Sequence, residues 1–543
     1  MRRTIAVLLL LASATPSWGL IVATSAATIL TSGGAPQICA AANGTYVVVW
    51  HLFGFLIGQP DSRAMAQRFD ANDEPLGAPI EVGLSDDPPR VACAPGGEFI
   101  VVRVSDDGGG DAGVFARRYD SNGSPLGADL LVNDTLVGAQ RDPDVAIGAD
   151  GGFMVVWVWE QMPFSSPEVY GKSFDADGVP IGSEFPLRAT VADFARDVRV
   201  RAMPAGGYFV VWDAVGILAR QFDSLGAPDG GDLSISADEG GRFPNVAAAP
   251  SGRFMVAWSS FGQGRIYDPT ATPLTPPFRL WPEFVSAPDL DADAAGNFVV
   301  VAHNGAIKEQ AFVRSFDASG APSSGLQRLH AEYRGAFEPD VAFVSADEFV
   351  ATWHGSLEVK RRRYRLLASL CPAIPSAGCL ESERSRLAIT DDDEDERRRR
   401  LRWRWRREQA QDPAQFGDPT ALTRTALCIY DATGLVMSVD LPAGQVCREE
   451  ACWTARPDGF RYFFPQREHD GVRRGVLSGK PNRGLLKLAA RGAGLDNVDL
   501  EAMSPPITAQ FVREGSASCW ESVYDANEIE EATAERFEAI HRD

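Results

Sequence analysis

From residue 36 to about residue 365 the apolar residues fall into short continuous runs broken by Gly, Pro and Asp, with no recurrence at helical spacing. Runs of this kind, rich in β-branched and aromatic residues, read as strands buried on both faces. They align with one another: TYVVVW ending at Trp50, EFIVVR at Arg103, GFMVVW at Trp157, YFVVW at Trp212, RFMVAW at Trp258, NFVVVA at Ala302 and EFVATW at Trp353. A short segment of small residues, such as Val145-Ala-Ile-Gly-Ala, precedes each run and suits a crowded innermost strand. The Trp residues that end five of the runs read as core between neighbouring units.

A second shared element follows each variable stretch. It is an aromatic–Asp pair, Phe69-Asp70, Tyr119-Asp120, Phe174-Asp175, Phe222-Asp223, Tyr267-Asp268 or Phe316-Asp317, and Gly and Pro usually come after it. This marks a tight hairpin that the Asp caps. Two positions before the aromatic stands Gln67, Arg117, Lys172, Arg220, Arg265, Arg314 or Arg362, which predicts a repeated ion pair or hydrogen-bond donor.

Units begin near Pro36, Pro89, Pro143, Arg196, Pro244, Pro288 and Pro339, at spacings of 53, 54, 53, 48, 44 and 51 residues. A period of this size indicates a propeller or solenoid, and four strands per unit fits a propeller blade. The expected fold is therefore all-β, a seven-bladed β-propeller of four-stranded blades over residues 20–370. The last unit lacks its aromatic–Asp turn and fourth strand. Leu20 to Thr31 (LIVATSAATILT) is expected to supply that strand and close the ring, which removes exposed edges.

Residues 371–385 read as a linker with a Cys371–Cys379 bridge, and residues 386–543 as a β-rich, sandwich-like domain of short strands. In that domain Cys428, Cys447, Cys452 and Cys519 allow two bridges in three connectivities. Asn527 to Ile540 has a capping Asn and a helical period, which fits a terminal helix and equally a frayed end.

Composition adds compartment rather than chemistry. At 543 residues the chain suffices for two or three domains. Its formal net charge of −21 disfavours general binding to nucleic acid or anionic membranes. Arg2-Arg3, the apolar run Ile5 to Ala12 and the small residues to Gly19 form a secretory signal pattern over residues 1–19. No later segment approaches a membrane span. The expected location is secreted or periplasmic, where the eight cysteines would oxidise.

The repeats resemble the FVVVW…FDxxGxPLG repeats of predicted secreted bacterial β-propeller proteins, and the C-terminal third resembles, loosely, a β-rich module found in similar proteins. The resemblance covers roughly residues 36–365 and implies fold, since no activity attaches to that repeat.

Candidate chemistry lies where the units differ. The first strands open with a ring of Gln37, Arg90, Asp144, Asp197, Asn245, Asp289 and Asp340, whose carboxylates suit either hydrogen bonding at the strand start or a hard cation such as calcium. His51, His303 and His354 share one repeat position, and in a closed ring their units are neighbours, a histidine-lined rim patch rather than one zinc site, because equivalent positions lie about 10 Å apart.

The longest connections follow the middle strands of the first three units, and Trp159, Glu160 and Phe164 make the third the most ligand-like. The expected function is an exported binding or surface-interaction protein using this face, with a glycan or another exported protein as partner. The alternative is a carbohydrate-active hydrolase or lyase with paired carboxylates drawn from Asp106, Asp107, Asp111 and Glu160. No cofactor is expected.

RRRRLRWRWRR (397–407) is the strongest local charge feature. Alternation puts Leu401, Trp403 and Trp405 on one face and Arg402, Arg404 and Arg406 on the other. One reading is a solvated basic face paired with Asp391–Glu396 across a hairpin. The other is a contact for an anionic cell-surface polymer or nucleic acid.

Overall fold

A computed structural model describes residues 18–542, apart from 26, 55–61, 109–110, 162–165, 190–193, 237–239, 260–261, 282–285, 305–309, 325–326, 330–335, 392–397, 445, 448–449, 465–470, 493–494 and 496–497. Phe164 is among the exceptions and lies outside the described residues. The chain is all-β, and its repeats form consecutive antiparallel sheets.

The third repeat shows the common plan. Ala139–Ile147 pairs with Phe153–Glu160, which pairs with Glu168–Phe174, which pairs with Pro180–Pro186. The second strand is flanked on both edges by hydrogen-bonded neighbours and on both faces by adjacent sheets, so Phe153 to Val158 are all buried. The Trp residues at the strand ends, Trp50, Trp157, Trp212, Trp258 and Trp353, are at most 3% exposed and belong to the cores between sheets.

Each aromatic–Asp turn has the same anatomy. Asp70 Oδ1 accepts from the N–H groups of Asn72 and Glu74, both at 2.8 Å, and Asp120, Asp175, Asp223, Asp268 and Asp317 repeat the pattern. The aromatic beside it stacks across the hairpin on the first residue of the middle strand, as in Phe99–Tyr119 and Phe153–Phe174, both at 4.7 Å. The basic residue two positions earlier lies over that aromatic ring at 5.7–5.9 Å in six repeats. Four of these arginines also donate to a backbone carbonyl of the preceding sheet: Arg117 to Val82, Arg220 to Leu187, Arg265 to Ile235 and Arg314 to Leu280. The repeated cation is thus a stitch between sheets, made of a carbonyl bond and a cation–π contact.

The last repeat takes its outer strands from the N-terminus. Trp18–Ala23 and Thr28–Ser32 both pair antiparallel with Glu358–Ala368. The first of these strands starts two residues before Leu20.

A feature without a signal in the apolar pattern is a β-bulge in the first strand of five repeats. Ala35, Asp142, Asp197, Ala287 and Glu338 adopt positive φ of 44–50° where the register slips.

Beyond residue 380 a five-stranded and an eight-stranded sheet enclose one hydrophobic core in which Trp403 and Trp405 meet Phe511 and Trp520. Two expectations are corrected here. Cys371 bonds to Cys428 and Cys379 to Cys519, so no Cys371–Cys379 bridge forms and none of the three connectivities holds. Strand pairing carries these cysteines together over 57 and 140 residues, which local spacing does not encode. A further bridge, Cys39–Cys93, joins the first strands of the first two repeats, and Cys452 is also disulfide-bonded. The side chain of Cys447 lies outside the described residues.

In place of a terminal helix or a frayed end stands a single 3-10 turn, Ala526–Glu528, followed by strands Ile529–Ala532 and Arg536–Arg542. Phe537 and Ala539 point into the core at the strand period of two, and pairing with Arg384–Thr390 overrides the local helical preference.

Candidate functional site

The residues expected at the start of the first strands share one register position across the repeats, with one member changed. In register, Gln37, Arg90, Asp144, Asn245, Asp289 and Asp340 each oppose the residue just before Trp50, Arg103, Trp157, Trp258, Ala302 or Trp353 on the middle strand. In the fourth repeat that place belongs to Arg199, opposite Val211, and Asp197 is the bulged residue two positions earlier. The set therefore holds three carboxylates and two guanidiniums.

Its polar atoms are turned to neighbouring sheets. Asp144 Oδ2 accepts from Val200 N–H at 2.9 Å, Asp340 Oδ2 from Ile38 N–H at 2.7 Å, and Arg90 donates to Gln37 Oε1 at 2.5 Å. Asn245 donates to Asp289 Oδ2 at 2.9 Å. One layer deeper, Asp291 Oδ2 accepts from Phe343 N–H and Arg201 donates to Val246 O. Burial, and the Asp340 carboxylate beside it, push Asp289 well above the ordinary carboxylate range; burial raises Asp340 and Asp291 as well. Burial lowers Arg199, with Arg90 adding repulsion. These groups join sheet to sheet through charge-assisted bonds, the strand-start reading of the ring.

The three histidines line one rim, and two phenylalanines complete it. Phe337 lies between His303 and His354, with ring centroids 6.0 and 5.4 Å away, and Phe53 packs edge-on against His51 at 5.0 Å. Gly34 separates the halves: a Cβ there would come within 2.9 Å of Phe53 and 3.7 Å of His354. His51 Nε2 is 3.0 Å from Ser85 O, and His354 Nδ1 accepts from Ala35 N–H at 3.3 Å. Burial, aided by His354, lowers His303 to about 4, and burial lowers His354 too. No group of three or more His, Cys, Asp or Glu is placed to hold a metal ion among the described residues.

At the same repeat position in the fourth sheet stands Asp213. It is 2% exposed, its Oδ2 has no hydrogen-bond partner among the described residues, and burial with the nearby Asp197 carboxylate pushes it up to about 6.

Trp159 is half-buried, donates from Nε1 to Val137 O at 2.9 Å and meets Tyr170 edge-on at 5.6 Å. Gly138 permits this approach: its φ is +88°, and a Cβ would sit 2.5 Å from Glu160 O and 3.0 Å from Trp159 Nε1. The connection thus clamped exposes Leu136 (44%) and Val137 (65%) beside the indole. Glu160 ends the strand opposite Ala139. Of the other carboxylates, Asp111 Oδ2 accepts from Gly138 N–H and Asp106 Oδ1 from Gly108 N–H.

In the C-terminal unit Leu401, Trp403 and Trp405 are buried while Arg402 and Arg404 are exposed and Arg406 is half-exposed, ion-paired with Glu408 at 3.2 Å. The strand facing them is not acidic. Arg384–Thr390 sets Arg384 opposite Arg406 and Arg386 opposite Arg404. Of the acidic run only Asp391 is described, and it pairs with buried Arg399 at 2.7 Å.

The described residues thus define an all-β protein of repeated four-stranded antiparallel sheets in a propeller-like arrangement, with oxidised cysteines that fit an extracellular or periplasmic setting. No helix among them is long and apolar enough to cross a membrane. No protein-family model matches the chain, and no curated protein matches it. Among solved structures it is similar to a protein of unknown function from Dyadobacter fermentans (9% identity, TM-score 0.39, covering 64% of this chain and 99% of that one). It is also similar to Raptor from Chaetomium thermophilum (12%, 0.44, 66% and 30%) and to the Hadza microbial sialidase Hz136 (12%, 0.33, 56% and 73%). None of these likenesses bears on activity.

Proposed function

We propose that this protein is an exported binding or surface-interaction protein without catalytic activity. In this reading residues 1–19 are a signal peptide, the repeats form a seven-bladed β-propeller closed by the N-terminal strands, and residues 386–543 form a β-sandwich-like domain. The partner, a glycan or another exported protein, meets the end of the propeller that carries the long connections.

The observation that supports the site is the ledge of Trp159, Leu136 and Val137. An indole held by a hydrogen bond and an edge contact, beside apolar side chains left in water, is a preorganised contact surface. Against hydrolysis or lyase chemistry stands the use of Asp106 and Asp111 as backbone acceptors, where a glycosidase needs two carboxyls facing a substrate. A glycan array run beside a polysaccharide-degradation screen tests this. The expected result is retention of specific glycans, weakened about tenfold or more by Trp159→Ala, with no release of reducing ends. Cleavage of any retained glycan, or retention indifferent to Trp159→Ala, overturns it.

A further inference from the structure

We infer that the outer face of the eight-stranded sheet is a second binding site, for a short saccharide bearing phosphomonoester groups. It lies on the C-terminal unit and is independent of the Trp159 ledge.

The face encloses a hollow of about 570 Å³. Its shape follows from strand register. In the central row Arg402 is flanked by Ala388 and Ala489, so small side chains form the floor beside one long cation. On one side runs a row of three cations, Arg386, Arg404 and Lys487, directly opposite one another on adjacent strands. On the other side Arg400 lies between Thr390 and Arg491, while Arg474, opposite Ala489, extends the central row.

Like charges directly opposite on neighbouring strands are destabilising. A chain with net charge −21 has no shortage of acids to relieve them, yet the side chains of Arg400, Arg402, Arg404 and Lys487 have no ion pair or hydrogen bond among the described residues. Glu538 answers only the far edge, pairing with Arg386 and Arg536, both at 2.6 Å. The stability lost to this row is recovered when an anion occupies it.

The ligand's chemistry follows from what the face offers. Trp403 and Trp405 are 2% and 0% exposed on the opposite face, and the one exposed ring beside the hollow among the described residues, Phe463, is already engaged by Arg461 and Arg474 at 6.0 and 5.7 Å; a lone occupied ring is a poor platform for successive bases, which disfavours single-stranded nucleic acid. A row of three cations spaced about 4.8 Å apart matches one group with three acceptor oxygens and a charge of about −2. Glu538 already answers Arg386, so Arg404 and Lys487 carry the unanswered charge, and a singly charged carboxylate or sulfate ester leaves one of the two uncompensated. The Ala388, Gly475 and Ala489 floor leaves room for a sugar ring behind the phosphate, within a volume typical of small-ligand sites.

Calorimetric titration of the full secreted chain with a mannose-6-phosphate-terminated oligomannoside tests the proposal. The comparison ligands are the same oligomannoside after phosphatase treatment, a heparin hexasaccharide and a short single-stranded oligonucleotide. The expected result is binding of the phosphorylated sugar at least about tenfold tighter than the other three, weakening steeply with salt. Arg404→Ser/Lys487→Ser, and separately the exposed Arg402→Ser, should each cost about tenfold or more, with melting temperatures unchanged or raised because repulsion is relieved. Equal affinity for the dephosphorylated sugar, tighter binding of heparin or oligonucleotide, or affinity unchanged in both folded variants overturns it. Trp159→Ala should leave this binding unaffected, so failure of one site does not mimic failure of the other.

Discussion

The carboxylate of Asp340 accepts the backbone N–H of Ile38 at 2.7 Å, joining first strands that lie 302 residues apart in the chain. Its other oxygen accepts Val341 N–H at 2.7 Å. Asp340→Ala would leave the buried Ile38 N–H unsatisfied, at a cost of about 1–3 kcal/mol, and should lower the melting temperature. Asp340→Asn keeps one acceptor for a backbone N–H, so its loss should be clearly smaller. Calorimetry of both variants checks the order.

Asp213 predicts a pH dependence. Its folded-state value of about 6 lies above the usual carboxylate value of 3.8, so the group favours folding when protonated and disfavours it when charged. Its contribution is fully present below about pH 4 and is lost as pH rises through about 6. Asp213→Asn should therefore stabilise the protein by on the order of 2 kcal/mol at pH 7.5 and leave it nearly unchanged at pH 4. Thermal unfolding at the two pH values measures the difference; equal shifts at both would contradict the assignment.

The N-terminal pairing predicts a truncation phenotype. Trp18–Ala23 and Thr28–Ser32 cover the edge of Glu358–Ala368. Removing residues 18–32 exposes that edge for association with other chains, so the truncated protein should aggregate or self-associate in size-exclusion chromatography. N-terminal sequencing of the exported protein should give a start at or before Leu20.

The disulfides predict a peptide map. Non-reducing digestion should yield peptides linking Cys39 to Cys93, Cys371 to Cys428 and Cys379 to Cys519, and none joining Cys371 to Cys379. Cys379→Ser/Cys519→Ser opens a loop of 140 residues and should cost about 2–5 kcal/mol.

Much of the repeat architecture is legible along the chain because each strand is paired within its own unit. The run Phe153 to Trp157 and the Asp175 turn are local, so alternation and turn chemistry suffice to read them. What those residues touch across a sheet boundary is less legible. Trp159 reads as an open ligand platform, whereas the structure clamps it to Val137 through Gly138, two residues whose approach no spacing announces. The rim shows the same division. The shared position of His51, His303 and His354 is visible in the repeat, but not the contacts of Phe53, just past a strand end, or of Phe337, which opens a bulged strand and lies between His303 and His354.

The amino-acid sequence by itself determined the strand content, the repeat and the two faces of Leu401–Arg407, because period-two burial and hairpin turns depend on near neighbours. Only the tertiary structure decided that Arg199 and not Asp197 joins the set, since a bulge shifts register by a backbone kink that side-chain pattern does not record. It also decided that Arg536–Arg542 is a strand, because a partner about 150 residues away in sequence (Leu387 opposite Ala539) supplies the hydrogen bonds that outweigh a weak helical preference. And it alone set Arg404 between Arg386 and Lys487, three cations from three strands whose repulsion exists only once the sheet has formed.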